Sequence, residues 1–195
     1  MVRKEICVVA IAIRNDHHWT REEYERRIEE GFFRPGERVE LVDGVLYEMS
    51  PQNGPHADCV SLILYALLPL FTSGCHLRVQ MPLALGLDSE PEPDIAVVPG
   101  PPGSYSPDHP TSAILVVEVA ESSLPHDRKR KASLYARAGI PEYWVMNLVD
   151  WRLEVYRDPV NGEYRSSTVL RAGDSVSPLS RPQAKILVAD LFPKG

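Results

Sequence analysis

Two carboxylates at the ends of apolar strands are the residues best suited to do chemistry. Asp94 opens the run PDIAVV, and Glu118 lies within the apolar run ILVVEV. A carboxylate in such a run is costly unless it is paired or bound to a metal. Mg²⁺ takes one or two protein carboxylates and completes its octahedron with water and substrate phosphate oxygens. We therefore predict that Asp94 and Glu118 bind Mg²⁺ or Mn²⁺, with a purely structural role as the alternative for both.

A lysine on the following helix is the next candidate. Asp127, Lys131 and Tyr135 are four residues apart in turn, so a helix places them on one face. From that face, the long side chain of Lys131 is expected to reach back to the strand ends. The basic residues between Asp127 and Lys131 have two interpretations, contact with a nucleic-acid backbone or a solvated run of charge: Arg128, Lys129 and Arg130.

Local signals predict the elements that position these residues. Thr20-Arg21-Glu22-Glu23 is a capping box that begins a helix ended by Gly31. Asp43-Gly44 predicts a hairpin over residues 38–49. Apolar spacing and stop signals predict helices over 56–68 and 127–138. Strands are predicted over 76–85, 93–98, 113–119 and 143–147, with peripheral hairpins from 151–156, 164–170 and 184–191 and a turn at Asn161-Gly162.

The order of these elements predicts a mixed α/β or α+β fold. The chain has 195 residues, about one domain's worth. We expect one domain over 19–195, with 1–18 as an N-terminal extension or edge strand. No apolar run approaches the ~18 residues of a membrane span, and the start lacks a complete secretion signal, so we expect a cytoplasmic protein without membrane partners.

Charge and motifs exclude several function classes. The net charge of −6 is the opposite of what a protein with a general basic DNA-binding face carries. The sequence has neither a GxxxxGK phosphate loop nor a GxSxG nucleophile turn, which excludes P-loop nucleotide hydrolases and serine hydrolases of that type.

Five sequence blocks in a fixed order carry a family resemblance. They are ERVELVDG, P-x-x-x-x-H ending at His56, EPDIAVV, LVVEVAESS, and D-x-x-x-K-x-x-x-Y followed by GIPEYWV. With these blocks the chain resembles the Uma-two family of endonucleases in the PD-(D/E)XK superfamily, from about Trp19 to Phe192. The resemblance implies a restriction-endonuclease-like core, with a central mixed sheet flanked by helices. It also implies Mg²⁺- or Mn²⁺-dependent hydrolysis of DNA and a homodimer.

The resemblance also implies roles for single residues. Asp94 and Glu118 match the metal-binding carboxylates, and Lys131 matches a lysine supplied from the following helix. The superfamily's usual lysine, two residues after the glutamate, is replaced here by Ala120. Glu40 and His56 match further family positions, Glu40 as a contributor to the metal shell and His56 as a residue that positions the site or orients water. The alternatives are a solvent-facing hairpin glutamate and a histidine that packs at the start of a helix. Apart from the resemblance, Gln80 lies on a strand before the PD block and is a candidate to hydrogen-bond the site.

Three functions follow from these residues. The first is a metal-dependent DNA endonuclease with a relocated lysine. The second, motivated by Ala120 and the acidic charge, is an inactive nuclease fold that binds nucleic acid or a protein partner. The third is a metal-dependent hydrolase of another phosphodiester, such as RNA or a small nucleotide.

Overall fold

A six-stranded mixed sheet is the centre of the fold, in a computed structural model that describes residues 12–13 and 17–194. Its strand order is β4-β5-β6-β7-β8-β9, with β6 and β7 parallel and every other pair antiparallel. These strands are β4 (Cys75–Val79), β5 (Ile95–Pro99), β6 (Leu115–Ala120), β7 (Glu142–Asn147), β8 (Arg152–Val160) and β9 (Glu163–Leu170). The mixed fold class predicted from the element order is confirmed.

Two smaller sheets flank this centre. β1 (Ala12–Ile13), β2 (Val39–Val42) and β3 (Val45–Glu48) form one, and β10 (Ser175–Val176) and β11 (Ile186–Leu187) form the other. β1 pairs with β3 at the edge of its sheet. The rest of the predicted extension, apart from His17 and His18, lies outside the described residues.

Helices cover both faces of the central sheet. α2 (Gly54–Leu67) packs on one face through Ile63 and Leu67. The parallel strands β6 and β7 are joined over the other face by a helical segment that we call the site helix, residues 124–137. It consists of α3 (Leu124–His126), a π-helix (Asp127–Lys131) and α4 (Ala132–Arg137). Because β6 is buried along its whole length, its apolar run is explained and Glu118 must lie in the interior.

The short-range signals at the N-terminal end are confirmed. α1 (Arg21–Glu29) begins with the reciprocal capping box of Thr20 and Glu23. The β2–β3 turn has φ angles of 51° at Asp43 and 72° at Gly44, as a tight hairpin requires. Glycine is also needed there for space, because a Cβ at Gly44 would lie 2.2 Å from the ring of His18.

The structure corrects several element boundaries. β4 ends at Val79 and not at residue 85, because Gln80 takes a φ of 52° and leaves the sheet. α2 begins two residues earlier than predicted, capped by Asn53 and with a proline in its first turn, where the missing N–H has no cost. The site helix likewise begins at Leu124 instead of 127.

The structure also corrects the bounds of the predicted C-terminal strands. β8 and β9 form a hairpin around Asn161-Gly162 that extends the central sheet. The strand predicted over 184–191 is limited to β11 and continues as a 3₁₀ turn, Val188–Leu191. Among the described residues, no helix combines the length and apolar character needed to cross a membrane.

A buried carboxylate on β8 fastens the site helix to the sheet. The Glu154 side chain is 6% exposed and accepts hydrogen bonds from Arg128, Arg152, Asn147 and Tyr156. Although burial alone would raise it, these hydrogen bonds lower the pKa of Glu154 to about 2. The carboxylate therefore stabilises the fold above its unfolded-state pKa, and this contribution disappears as the pH falls from about 4.5 towards 2.

We expect Glu154→Gln to lower the free energy of unfolding by about 3 kcal/mol at pH 7, since it leaves the Arg128 guanidinium without its counter-charge. Urea unfolding at pH 7 and pH 3 is the measurement, and the deficit should shrink at pH 3. The control is Glu163→Gln, a change of the same type at an exposed position of β9. An equal deficit at both pH values would contradict the argument.

Candidate active site

Strand register brings the two predicted carboxylates together. Ile95 of β5 pairs with Val117 of β6, so Asp94, just before β5, lies beside Glu118. The backbone N–H of Asp94 is 3.4 Å from Glu118 Oε2, and the N–H of Val119 donates to Asp94 Oδ2 at 2.8 Å. Both carboxylates line a cleft of about 830 Å³.

The site helix adds an ammonium and a hydroxyl to this pair. Lys131 Nζ lies 3.0 Å from Glu118 Oε1 and 2.9 Å from Glu40 Oε2. The Tyr135 hydroxyl donates to Glu118 Oε1 at 2.7 Å. One oxygen of Glu118 thus faces the helix, while the other faces Asp94. The lysine predicted from the helix is therefore in the same cleft as the two carboxylates.

Two further predicted residues, Gln80 and His56, contact the Asp94 carboxylate. Gln80 Nε2 donates to Asp94 Oδ1 at 3.1 Å, from the residue where β4 leaves the sheet. His56, in the first turn of α2, places Nε2 3.3 Å from Asp94 Oδ2. Despite the opposing effect of burial, Asp94 raises the pKa of His56. Each residue therefore restrains the Asp94 carboxylate.

Burial dominates the electrostatics of the cleft. It raises the pKa of Glu118, against the lowering effect of Lys131, and raises that of Asp127 to about 6. Burial alone would lower the pKa of Lys131, but the surrounding carboxylates raise it well above its ordinary value. The ammonium is therefore a permanent positive charge among acid groups.

The site helix contains a π-helical turn, yet Asp127, Lys131 and Tyr135 stay together as predicted. Asp127, Lys131 and Tyr135 are all buried, at 2%, 5% and 0% exposure, which confirms that they share one face. The wider π turn lies between Asp127 and Lys131. Such turns recur at functional sites, where they alter the direction of side chains.

The donor set suits a hard divalent cation. Four buried acid groups line the cleft: Glu40, Asp94, Glu118 and Asp127. Among the described residues that line it, Lys131 is the one buried cation. Among all the residues that the structure describes, no group of three or more His, Cys, Asp or Glu side chains is arranged to hold a metal ion. Two carboxylates with water fit the demands of Mg²⁺ without a third protein ligand. The residues present therefore fit Mg²⁺ or Mn²⁺, and Asp94 and Glu118 are the side chains that would hold the ion.

The basic run on the site helix divides in two. Arg128 is held by Glu154 through two hydrogen bonds, so its donors are already in use within the fold. Lys129 and Arg130 are exposed, and the guanidinium of Arg130 lies 5.8 Å from the centre of the Tyr47 ring. Contact with a phosphate backbone stays a prediction, and the geometry favours it for Lys129 and Arg130.

His126 is a further residue of the centre that the sequence alone did not indicate. Its Nε2 lies 4.0 Å from Glu40 Oε1, and its ring packs against Tyr47 with centroids 4.6 Å apart. Burial, followed by the charge of Lys131, lowers the pKa of His126 to about 4 and keeps the imidazole neutral. No spacing rule relates it to the other histidines, and its position depends on where the site helix begins.

We expect Lys131→Met to lower the free energy of unfolding by about 3–5 kcal/mol at pH 7, because it leaves Glu40 and Glu118 without their counter-charge. Adding Glu40→Gln should recover at least about 1 kcal/mol relative to the sum of the single changes. Urea unfolding measures both. Lys185→Met, at an exposed lysine, is the control and should stay within about 0.5 kcal/mol of the wild type. Strict additivity would contradict the predicted coupling.

The chain is similar to known proteins in both its fold and its sequence. No curated protein matches the chain. Among solved structures, the chain is similar to a putative nuclease belonging to DUF820 from Anabaena variabilis, with 16% sequence identity and a TM-score of 0.69. The match covers 89% of this chain and 97% of that chain, and it confirms the predicted fold class. The Uma2 family model, described as "Putative restriction endonuclease", matches residues 21–189. Since that match spans most of the sequence, the chain belongs to the Uma2 family.

Proposed function

We propose that this protein is a metal-dependent endonuclease that hydrolyses DNA phosphodiester bonds. One observation carries the proposal: two buried carboxylates, Asp94 and Glu118, meet in one cleft with the Lys131 ammonium 3.0 Å from Glu118. The family description supports the same reaction type. The proposal includes a cytoplasmic homodimer, in which two clefts address the two strands of a duplex.

The carboxylates have a defined part in this proposal. Asp94 and Glu118 would hold Mg²⁺ or Mn²⁺, which when bound lowers the pKa of a coordinated water and neutralises charge at the phosphate. Glu118 offers Oε2 to the cation side, because its Oε1 already accepts from Lys131 and Tyr135. Gln80 and the backbone of Val119 fix the orientation of Asp94.

Lys131 supplies the positive charge that Ala120 cannot. Ala120 lies on β6 with no exposed surface and carries no polar group. The lysine enters the cleft from the site helix, and its long flexible stem lets the ammonium reach a phosphate beside the carboxylates. There it would stabilise the negative charge that develops as the phosphodiester is attacked.

His56 is better suited to positioning than to removing a proton from water. Its Nε2 is directed at Asp94, and its Nδ1 is buried without a hydrogen-bond partner among the described residues. It therefore orients the Asp94 carboxylate, and the water-orienting role implied by the family resemblance is not part of the proposal.

One observation favours the second candidate, an inactive fold that binds nucleic acid or a protein. The Lys131 ammonium is already bound by two carboxylates, Glu40 and Glu118, so it serves the fold as well as any reaction. A module of this kind would bind DNA without cleaving it, and its binding would persist when Asp94 is changed.

We expect the wild type to nick supercoiled plasmid DNA with Mg²⁺ or Mn²⁺, and EDTA to abolish the reaction. Asp94→Asn should lower the rate at least about 100-fold, because the change removes a ligand charge in the cleft. Agarose gel electrophoresis over a time course measures both rates. Binding of the same DNA, measured in parallel, identifies the inactive module if binding remains and cleavage is absent.

The matched control is Asp190→Asn, an isosteric change at an exposed residue of the C-terminal 3₁₀ turn. Its cleavage rate should equal that of the wild type. Nicking by Asp94→Asn at the wild-type rate would show a contaminating nuclease or a different site. Cleavage of RNA or a dinucleotide in place of DNA would support the third candidate.

A further inference from the structure

Arg78 is a half-buried cation that lacks a carboxylate partner among the described residues. It lies on β4, outside the cleft lining. Its one hydrogen bond in that part of the chain is a long one, from Nη2 to the Pro82 carbonyl at 3.4 Å. Its Nε is buried and has no hydrogen-bond partner among the described residues. A buried charged group is normally paired, so this guanidinium is prepared for an anion that the chain itself does not provide.

The other half-buried arginines show how unusual this is. Five of them contact carboxylates within 3.2 Å: Arg21, Arg27, Arg128, Arg152 and Arg157. Arg181 lacks a carboxylate but donates to the Leu70 and Ser180 carbonyls and stacks on Phe71. Among the half-buried arginines that the structure describes, Arg78 alone has a buried N–H without a hydrogen-bond partner and no contact with a carboxylate.

Burial has the largest effect on the electrostatics of Arg78. It lowers the pKa of Arg78, and the neighbouring Tyr105 offsets this effect only in part. An anion bound to the guanidinium would compensate the cost of burying its charge.

The sheet register relates Arg78 to the carboxylates. Arg78 pairs with Ala96 of β5, two residues beyond Asp94, and directly opposite residues of antiparallel strands project from the same face. The strand rise and spacing put the Arg78 and Asp94 backbones roughly 8 Å apart. Gln80, two residues along the chain, already contacts Asp94. A nucleic-acid strand bound at the cleft would therefore bring the adjacent phosphate of the same strand to Arg78.

We propose that Arg78 binds a backbone phosphate of the DNA substrate. This phosphate is the neighbour, on the same strand, of the phosphate held at Asp94 and Glu118. This inference rests on the proposed function, because it takes the bound strand to be DNA. It adds a site that positions the strand and contributes affinity without touching the reacting atoms. The planar guanidinium matches the phosphate group with paired N–H donors.

The test measures binding without cleavage. A fluorescent 20-base-pair duplex is titrated with protein in EDTA at several salt concentrations, and anisotropy gives the affinity. Each phosphate contact contributes about 0.9 to the slope of log affinity against log salt concentration. Arg78→Gln should weaken binding and reduce the slope by about that amount, whereas Arg78→Lys should retain most of the slope.

Arg165→Gln is the matched control, an exposed arginine on β9 at the opposite edge of the same sheet, and its slope should be unchanged. The melting temperature of Arg78→Gln should equal or exceed that of the wild type, since the change removes an unpaired charge. A wild-type salt slope in Arg78→Gln overturns the phosphate site and leaves the endonuclease proposal intact. An equal loss of slope in Arg78→Gln and Arg165→Gln does the same. Absence of DNA binding by the wild type overturns the phosphate site, whereas the endonuclease proposal is decided separately by the plasmid-nicking assay with metal.

Discussion

The ammonium of Lys131 between Glu40 and Glu118 is the interaction on which the rest of the centre depends. It joins three parts of the fold: the β2–β3 hairpin, the central strand β6 and the site helix. Buried carboxylates cannot remain charged in an apolar interior without a counter-charge. The lysine supplies that charge, and its own position is fixed by the same two contacts. The architecture around β6 can therefore be understood as a way of holding one cation and its acid partners out of water.

The same arrangement leaves the cleft short of positive charge. Asp94 and Asp127 are buried as well, and burial raises the pKa of Asp127 to about 6. A DNA strand approaching this surface meets an acidic centre in a protein with a net charge of −6. In the proposed endonuclease, attraction would therefore come from a metal ion in the cleft and from separate basic positions around it, such as Lys129, Arg130 and Arg78. Under that proposal, recognition and chemistry lie on different parts of the surface.

Much of this could be predicted from local patterns. The capping box at Thr20 and the turn at Asp43-Gly44 depend on a few neighbouring residues, and a short run of sequence contains all of them. The apolar run around Glu118 indicated a buried central strand for the same reason. The π-helix and the end of β4 at Gln80 were not predictable, because they depend on tertiary packing. His126 and Arg78 were missed since their significance lies in partners that only the folded chain supplies or withholds.

The β2–β3 hairpin belongs to a different sheet from the other residues of the centre. Its backbone meets the segment leading to β5 through the Leu41–Glu90 bridge and through a hydrogen bond from the Gly44 N–H to the Asp88 carbonyl. Val42 and Tyr47 also belong to the core cluster that the site helix and the central sheet share, so the hairpin is packed firmly against that core. Glu40 therefore reaches the centre from a separate sheet. Lys131 gains its second carboxylate only when two sheets have packed together, which makes the centre a product of tertiary assembly.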